Sequence, residues 1–370
     1  MRVGLNLLFL LPGIVGGTEV YAQGLLRALA RGNDKDEFIV FVNCESAGWP
    51  LPAQPNFHRI VCSVRARRRF RRYLFEQLVL PRLLNSHGVD VVHSLGYVAP
   101  LFPSCPSIVT IPDLNYRAFG NAMPPSKRIV LSTMVKASAH RAARVITISE
   151  FSKKEILTSF ALDADKVHVT YLAPPVVASA RPDSTAYRKR IGIRGPYILA
   201  FSSATPNKNL HRLLEAYRLA VDNHGLTHQL VLLGHTPKDL RNAIAKTATS
   251  QVVSTGYVDD HSRDTLVLSA DALVHPSFYE GFGLPVVEAM SAGVPVACSR
   301  SAALPEIAGG AALLFDPFSV QDIAMTLARV ARDIELRRRL VELGLNNARR
   351  FSWDDTASRT THIYRQVVQH

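Results

Sequence analysis

The sequence is poor in cysteine and has no apolar run long enough to cross a bilayer. Its 370 residues include four cysteines, without the paired spacing of a disulfide framework or a zinc site. We therefore expect a reducing, cytosolic environment. No segment approaches the roughly 20 consecutive apolar residues that a membrane-spanning helix needs, so any membrane contact is expected to be peripheral.

The apolar start of the chain is too short for a secretory signal. The run from Leu5 to Leu11 is followed by Pro12 and by no small-residue cleavage site. We predict that residues 3–11 form a buried first strand instead.

Acidic residues are fewer than basic ones, and this imbalance indicates an acidic partner. The chain has 43 lysines and arginines against 30 aspartates and glutamates, which gives a formal net charge of +13. Nucleic acid, anionic lipid and a phosphorylated substrate are the partner classes that suit such a charge. Aromatic residues are not interleaved with the arginines in the manner of a base-stacking platform, so we do not expect a nucleic-acid partner.

Much of the positive charge lies in one short segment. Five arginines are predicted to face an anionic membrane or acceptor: Arg67, Arg68, Arg69, Arg71 and Arg72. The apolar residues that follow suit an amphipathic helix at a lipid surface, where each nearby basic side chain contributes about 1 kcal/mol. A solvated basic helix with its apolar face in the core is the alternative, and the sequence leaves both open.

Apolar strands alternate with helical patterns along the whole chain. The composition, 47% hydrophobic and 20% charged, is that of a globular protein, and the length suits two domains. The alternation predicts an α/β fold with parallel sheets covered on both faces. We predict two doubly wound, Rossmann-like domains facing across a cleft, over 1–173 and 196–353. The linker is predicted at 174–195, and a last helix at 354–370.

The most informative stretch of the sequence follows the strand that ends near His275. A loop with Gly281 and Gly283 leads into a helix, and Pro285 suits the first position of that helix. Glycines let the backbone approach a ligand closely, and the unpaired amides at a helix start bind anionic oxygens. The pattern therefore predicts a phosphate-binding site.

Two carboxylates flank this predicted phosphate site. Glu280 lies in the loop and Glu288 lies about one turn into the helix, where it can accept hydrogen bonds from hydroxyls. A ligand with a central diphosphate and polyols at both ends suits this layout. A nucleotide sugar is such a molecule.

The two glutamates, which enclose Gly-Phe-Gly-Leu-Pro, resemble the donor-site signature of the retaining glycosyltransferases of family four, which have the GT-B fold. Lys208 followed by asparagine, the segment 256–258 and the segment 304–306 are also similar to the family. The resemblance covers nearly the whole second domain and is weaker in the first.

The resemblance implies roles for these residues. Lys208 would neutralise the donor diphosphate, Glu280 would contact the sugar and Glu288 would hold the ribose hydroxyls. Tyr257 and Val258 would contact the base. The other residues predicted to bind the donor are Gly16, Gly17, Ser203, Asn209, Gly281, Phe282, Gly283 and Leu284.

Two positions depart from the family pattern. Many relatives have an arginine five residues before the lysine, where this chain has Ser203, so one positive charge is missing from the diphosphate site. Relatives commonly have a histidine that hydrogen-bonds the transferred sugar, where this chain has Pro112. Asp113 remains, and we predict that it contacts the donor sugar or the acceptor.

The resemblance implies a retaining transfer of a hexose to a glycan or lipid-linked acceptor, with Glu280, Asp113 and Lys208 at the reaction centre. GDP-mannose is the favoured donor. We see no Asp-x-Asp motif that would hold a metal at this site, so no cofactor is expected. The predicted location is cytoplasmic, at the inner face of the cell membrane if the basic segment binds lipid. A catalytically inactive nucleotide-sugar-binding protein and a GT-B-like sugar-nucleotide epimerase are the alternatives.

Overall fold

The chain folds into two compact units, each built on one parallel β-sheet. Unit 1 comprises Met1–Ala173 with Phe351–His370, and unit 2 comprises Pro174–Arg350. The predicted linker lies partly outside the described residues. The computed structural model describes residues 1–32, 35–119, 124–174, 185–246 and 251–369.

Unit 1 contains a seven-stranded sheet. Its strands are β1 Arg2–Asn6, β2 Glu37–Val42, β3 Phe57–Val61, β4 Val91–Ser94, β5 Ser107–Thr110, β6 Arg144–Thr147 and β7 Val167–Val169. They lie in the order β3-β2-β1-β4-β5-β6-β7, with all neighbours parallel; Val3, for example, pairs with both Phe38 and Val91. The order reverses between β1 and β4.

Among the residues that the structure describes, six α-helices lie between these strands. They are α1 Gly17–Gly32, α2 Arg69–Leu78, α3 Leu80–Ser86, α4 Asn115–Ala118, α5 Pro125–Arg141 and α6 Glu150–Phe160. Helix α1 shows why they form, because Tyr21, Leu25 and Leu29 recur at four-residue spacing and are all buried. Ser149 caps α6 by accepting a hydrogen bond from the backbone of Ser152.

Unit 2 contains a six-stranded parallel sheet. Its strands are β8 Tyr197–Ser202, β9 Gln229–Gly234, β10 Val252–Gly256, β11 Ala272–His275, β12 Val296–Ser299 and β13 Leu313–Phe315. They lie in the order β10-β9-β8-β11-β12-β13, so the order reverses between β8 and β11. The α/β class with two Rossmann-like units is confirmed.

In the described part of unit 2, eight α-helices precede, connect or follow these strands. They are α7 Thr185–Arg190, α8 Leu210–His224, α9 Lys238–Lys246, α10 Asp260–Leu268, α11 Leu284–Ser291, α12 Leu304–Ala308, α13 Val320–Arg332 and α14 Ile334–Ala348. Leu213 and Tyr217 of α8 share one buried core with Ile323 and Leu327 of α13. Within the described ranges, no helix combines the length and apolar character needed to cross a bilayer.

The last helix, α15, Trp353–Gln369, belongs to unit 1 and packs on α1. Its Tyr364 hydroxyl lies 2.7 Å from Nδ1 of His93, whose Nε2 lies 2.7 Å from Oγ1 of Thr110. These three side chains are fully buried, and burial lowers the pKa of His93 to about 3. A neutral histidine therefore ties α15 to the sheet of unit 1.

Some strand boundaries differ from the sequence predictions. The first strand ends at Asn6 instead of residue 11, because the Asn43 amide donates to the carbonyls of Leu8 (3.0 Å) and Leu10 (2.7 Å) and holds a turn there. Strands β3 and β13 were not predicted. Both carry exposed residues, and so they lack the continuous apolar run of a central parallel strand.

We predict that Gly24→Ala destabilises unit 1. A Cβ at residue 24 would lie 2.3 Å from Cε2 of Trp353, so α15 must shift, and overpacking of this kind costs about 1–3 kcal/mol. Gly32→Ala in the same helix is the matched control, since a Cβ there meets nothing within 4 Å. Urea unfolding followed by tryptophan fluorescence reports on unit 1, which contains both tryptophans, Trp49 and Trp353. Equal unfolding midpoints for the two variants would contradict the close packing.

Candidate active site

Two loops of unit 2 lie on either side of the point where its strand order reverses. The loop 203–209 follows β8, and the loop 276–283 follows β11, which neighbours β8 in the sheet. Parallel sheets of this type bind ligands beyond the carboxyl ends of the strands at such a reversal. The predicted donor-binding residues of both loops therefore lie where the topology favours a ligand.

Two asparagines fasten these loops to each other. The Asn207 amide donates to the carbonyl of Tyr279 (3.0 Å), and the Asn209 amide donates to the carbonyl of Pro276 (3.0 Å). Asn209 has a φ of 57°, in the left-handed region that asparagine tolerates better than most residues. Both asparagines are buried, so Lys208 extends from a fixed segment of backbone.

Lys208 forms an ion pair with Glu280 across the two loops. Nζ lies 2.7 Å from Oε1 of Glu280, and Nε2 of His275 lies 3.1 Å from the same oxygen. Burial alone would raise the pKa of Glu280, but Lys208 and His275 hold it well below its ordinary value. Burial also lowers the pKa of His275, so a neutral imidazole donates to an ionised carboxylate.

The start of α11 provides backbone amides beside this ion pair. Gly283 precedes the helix with a φ of 109°, and a Cβ there would lie 2.6 Å from Cδ2 of Leu304, so only glycine fits. Gly283 is the N-cap residue, and it has no side chain that could cap the helix. Leu284 is the first helical residue and Pro285 the second, one place later than predicted. Gly281 is buried in the same loop.

Glu288 lies on α11 and is paired with a residue that the sequence did not indicate. Its side chain is 3% exposed, and the Arg263 guanidinium of α10 contacts its Oε1. Burial raises the pKa of Glu288 to about 7, although the charge of Arg263 favours ionisation. The two glutamates of the signature therefore have opposite pKa shifts.

The remaining residues predicted to bind the donor in unit 2 have varied environments. Tyr257 is 93% exposed and Val258 is half-buried, both in the loop between β10 and α10. Ser203 Oγ lies 2.8 Å from Oγ1 of Thr205. Phe282 is 2% exposed, so its ring anchors the loop in the core.

In unit 1, the predicted glycines lie at the start of α1. Gly16 has a φ of 57° and Gly17 is the first residue of the helix. The Glu19 carboxylate orders the loop, because it accepts hydrogen bonds from the backbone amide of Gly13 (2.8 Å) and from Nε1 of Trp49 (3.0 Å). The loop follows β1, on one side of the strand-order reversal of this sheet.

Asp113 lies beyond the end of β5 in unit 1. Its Oδ1 accepts hydrogen bonds from the Tyr97 hydroxyl (2.8 Å) and from the backbone amide of Asn115 (3.1 Å). Tyr97 has a φ of 50°, which is uncommon for an aromatic residue and marks a constrained position. The carbonyl of Pro112 accepts a hydrogen bond from the Thr147 hydroxyl (3.2 Å).

The arginines of the basic segment divide into two groups. Arg67, Arg68, Arg69 and Arg71 are exposed and line a surface depression of about 760 Å³ together with Lys127. Arg72 differs, because its side chain is 11% exposed and lies 3.8 Å from the buried Glu76. Burial raises the pKa of Glu76 to about 7. The prediction for Arg72 needs correction, since it stabilises a buried carboxylate instead of facing an acceptor.

Sequence reasoning missed four residues that organise these sites. Neither Arg263 nor Tyr97 has a local signal, because their partners, Glu288 and Asp113, are distant in the sequence. His275 ends a buried strand next to the signature, and a histidine there is a signal that could have been used. The fourth, Asn207, lies one residue before the predicted lysine.

Comparisons with known proteins agree with this arrangement. Residues 15–173 match the model of Glycosyltransferase Family 4, and residues 183–346 match that of Glycosyl transferases group 1. The chain is 31% identical over 269 residues to the O-antigen chain mannosyltransferase B of Escherichia coli, a match that covers 70% of each chain.

Two solved structures share the fold. Sucrose-phosphate synthase from Thermosynechococcus elongatus superposes with a TM-score of 0.76 at 19% sequence identity. The match covers 99% of this chain and 98% of the synthase. HepE from Anabaena, solved with UDP-glucose, has a TM-score of 0.74 at 17% identity, over 99% of this chain and 100% of its own. The fold and the family matches define a glycosyltransferase of the GT-B class. Within that class, the chain belongs to glycosyltransferase family 4.

We predict that Lys208→Met destabilises unit 2 and that Glu280→Gln in the same chain restores it. The single change leaves a carboxylate that is 15% exposed without its cation, which costs on the order of 3 kcal/mol. Because the pKa of Glu280 is lowered, the pair stabilises the fold above the ordinary carboxyl pKa and is lost as the pH falls. The loss of stability of Lys208→Met relative to the wild type should therefore become smaller toward acidic pH, and thermal unfolding followed by calorimetry measures this loss.

Arg338→Gln is the matched control for this test. It breaks an ion pair with Glu335 in which both side chains are more than 70% exposed, and such pairs contribute little. If the double variant were no more stable than Lys208→Met, the ion pair would not explain the loss.

Proposed function

We propose that this chain is a retaining glycosyltransferase that moves a hexose from a nucleoside-diphosphate sugar to a glycan or lipid-linked acceptor. The observation that carries the proposal is the contact between Lys208 and Glu280 in the loops that lead to the glycine N-cap of α11, in a chain of family 4. Mannose is favoured because a 31% identical relative is named as a mannosyltransferase, and GDP-mannose is the proposed donor.

The proposed reaction separates two opposite charges. Departure of the nucleoside diphosphate leaves negative charge on phosphate, while the sugar carbon becomes oxocarbenium-like. Lys208 and the amides of Gly283 and Leu284 would stabilise the phosphate, and the Glu280 carboxylate would orient the sugar. Since these groups supply the positive charge, the proposed reaction needs no metal ion. The acceptor would attack the anomeric carbon from the same face of the sugar that the leaving group departs from, so the configuration at this carbon is retained.

Pro112 and Ser203 favour a second candidate, a catalytically inactive nucleotide-sugar-binding protein. Each removes a polar or charged side chain that relatives of the resembled family commonly use. An epimerase, the third alternative, would convert the sugar nucleotide without releasing nucleoside diphosphate. These functions give different products from the same substrates, so one assay separates them.

We expect the purified chain to release GDP from GDP-mannose in the presence of a bacterial lipid extract, with or without EDTA. Glu280→Gln should lower kcat by about 100-fold, the size of effect typical of losing one electrostatic contact in an active site. Arg338→Gln should leave kcat unchanged. Activity that EDTA abolishes and Mg²⁺ restores would contradict the metal-free proposal. Binding without release across GDP-, UDP- and dTDP-sugars would favour the inactive binding protein.

The proposal includes contact with the cytoplasmic face of the membrane through α2. Only part of the apolar surface of this helix lies in the core: Tyr73 and Phe75 pack against it, whereas Phe70, Leu74 and Leu78 are 72%, 45% and 59% exposed. Ile129 and Val130 of α5 are also exposed. Exposed apolar side chains beside a cationic depression suit an anionic lipid surface. These exposed side chains favour the lipid-surface hypothesis over a helix whose whole apolar face lies in the core.

We expect the chain to bind vesicles that contain phosphatidylglycerol and not vesicles of phosphatidylcholine alone. Changing Arg67, Arg68, Arg69 and Arg71 to glutamine should weaken binding by about 4 kcal/mol, at about 1 kcal/mol for each basic residue. The matched control lowers the net charge equally at four exposed, ion-paired arginines, Arg31, Arg300, Arg338 and Arg359. Equal losses for both variants in a co-sedimentation assay would show that only net charge matters.

A further inference from the structure

Arg263 contacts three elements of unit 2. It lies on α10, and its guanidinium contacts the Glu288 carboxylate of α11. Its Nη1 lies 3.2 Å from Oδ1 of Asp264, and its Cζ lies 5.8 Å from the centre of the Phe201 ring near the end of β8. The side chain is 27% exposed, so it is held between packed groups while it keeps contact with solvent.

The environment of Glu288 makes its charge depend on this arginine. The carboxylate is 3% exposed, and burial of an ionised carboxylate is unfavourable without a cationic partner. Among the described residues, the titratable groups that act on it are Arg263, which lowers its pKa, and Asp264, which raises it. With a pKa of about 7, Glu288 changes its ionisation across neutral pH.

The charge of Glu288 matters for recognition of a diol. An ionised carboxylate offers acceptors on both oxygens and can therefore bind two vicinal hydroxyls, whereas a protonated one carries a donor on one oxygen. Arg263 also lies on the helix that follows the loop of Tyr257 and Val258, which are proposed to contact the base.

We propose that Arg263 is a positioning residue for the donor nucleoside, which keeps Glu288 ionised and in place to accept hydrogen bonds from the vicinal ribose hydroxyls. This inference rests on the proposed function of the same site. It assigns to Arg263 a role through Glu288, without direct contact with the sugar nucleotide. It also makes recognition of the ribose sensitive to pH in the neutral range.

The test compares GDP with 2′,3′-dideoxy-GDP by titration calorimetry between pH 6 and pH 9. The wild-type chain should prefer GDP by about tenfold at pH 8, and this preference should fall by about tenfold between pH 8 and pH 6, because the ionised fraction of Glu288 falls from about nine-tenths to about one-tenth. Arg263→Gln should lose most of the preference at pH 7 and regain part of it at pH 9. Arg263→Lys, which keeps the charge, should hold its midpoint near that of the wild type.

Two further variants control for folding and for unspecific loss of charge. In Glu288→Gln the preference for GDP over dideoxy-GDP should not depend on pH. This variant tests the role of Glu288 even if Arg263→Gln does not fold. Arg338→Gln should behave as the wild type. Equal weakening of GDP and dideoxy-GDP at every pH in Arg263→Gln, or an unshifted midpoint, would overturn the inference and leave Arg263 a structural role only.

The outcomes also separate this inference from the proposed function. A wild-type chain that binds GDP and dideoxy-GDP equally would overturn the role of Arg263 and Glu288 in ribose recognition, while leaving the transferase proposal intact. A wild-type chain that binds no nucleoside diphosphate at all would overturn both.

Discussion

The ion pair between Lys208 and Glu280 depends on two loops that meet at the strand-order reversal of unit 2. Charges that are this little exposed persist only when they are paired, and the pair persists only while the loops stay joined. Asn207 and Asn209 join them through backbone carbonyls, so the backbone positions of both charged residues are fixed. An ammonium group has three donors, and Lys208 can contact Glu280 and a phosphate oxygen at the same time.

The same constraint explains why the two glutamates of the signature behave differently. Glu280 has a cation and a neutral imidazole on one oxygen, and its pKa lies below the ordinary value. Glu288 is more deeply buried, and Arg263 offsets only part of that burial, so its pKa is about 7. Opposite shifts in two nearby carboxylates are a common sign that a site assigns them different tasks. Here one would orient the sugar and the other would hold the ribose.

The sequence predicted the buried parallel strands and the glycine loop before α11, because each of these has a signal within a few neighbouring residues. Buried parallel strands such as β8 and β11 read as apolar runs, and the glycine loop before α11 was visible because Gly283 must adopt a positive φ. The edge strand β3 was not predicted, because exposed residues break its apolar run. Strand β3 forms because it pairs with β2, and this contact has no signal in the local sequence.

The sequence indicated the residues of the candidate site that belong to a recognisable motif, and it did not indicate those that are defined by a contact with a distant residue. Lys208, Glu280 and Glu288 were recognised by type and spacing, whereas Arg263 became visible only through a contact with a helix 25 residues away in the sequence. Arg72 shows the opposite error, since an arginine in a basic run looks exposed until its partner Glu76 is found to be buried. Pairings between distant side chains are set by packing, and no local pattern records them.

We propose that Lys208 and the amides at the start of α11 bind the diphosphate of the donor. A crystal structure of the chain with GDP bound would test this. We expect a phosphate oxygen within hydrogen-bond distance of Lys208 Nζ and of the backbone amides of Gly283 and Leu284. A nucleotide bound elsewhere, with Lys208 in contact only with Glu280, would contradict it.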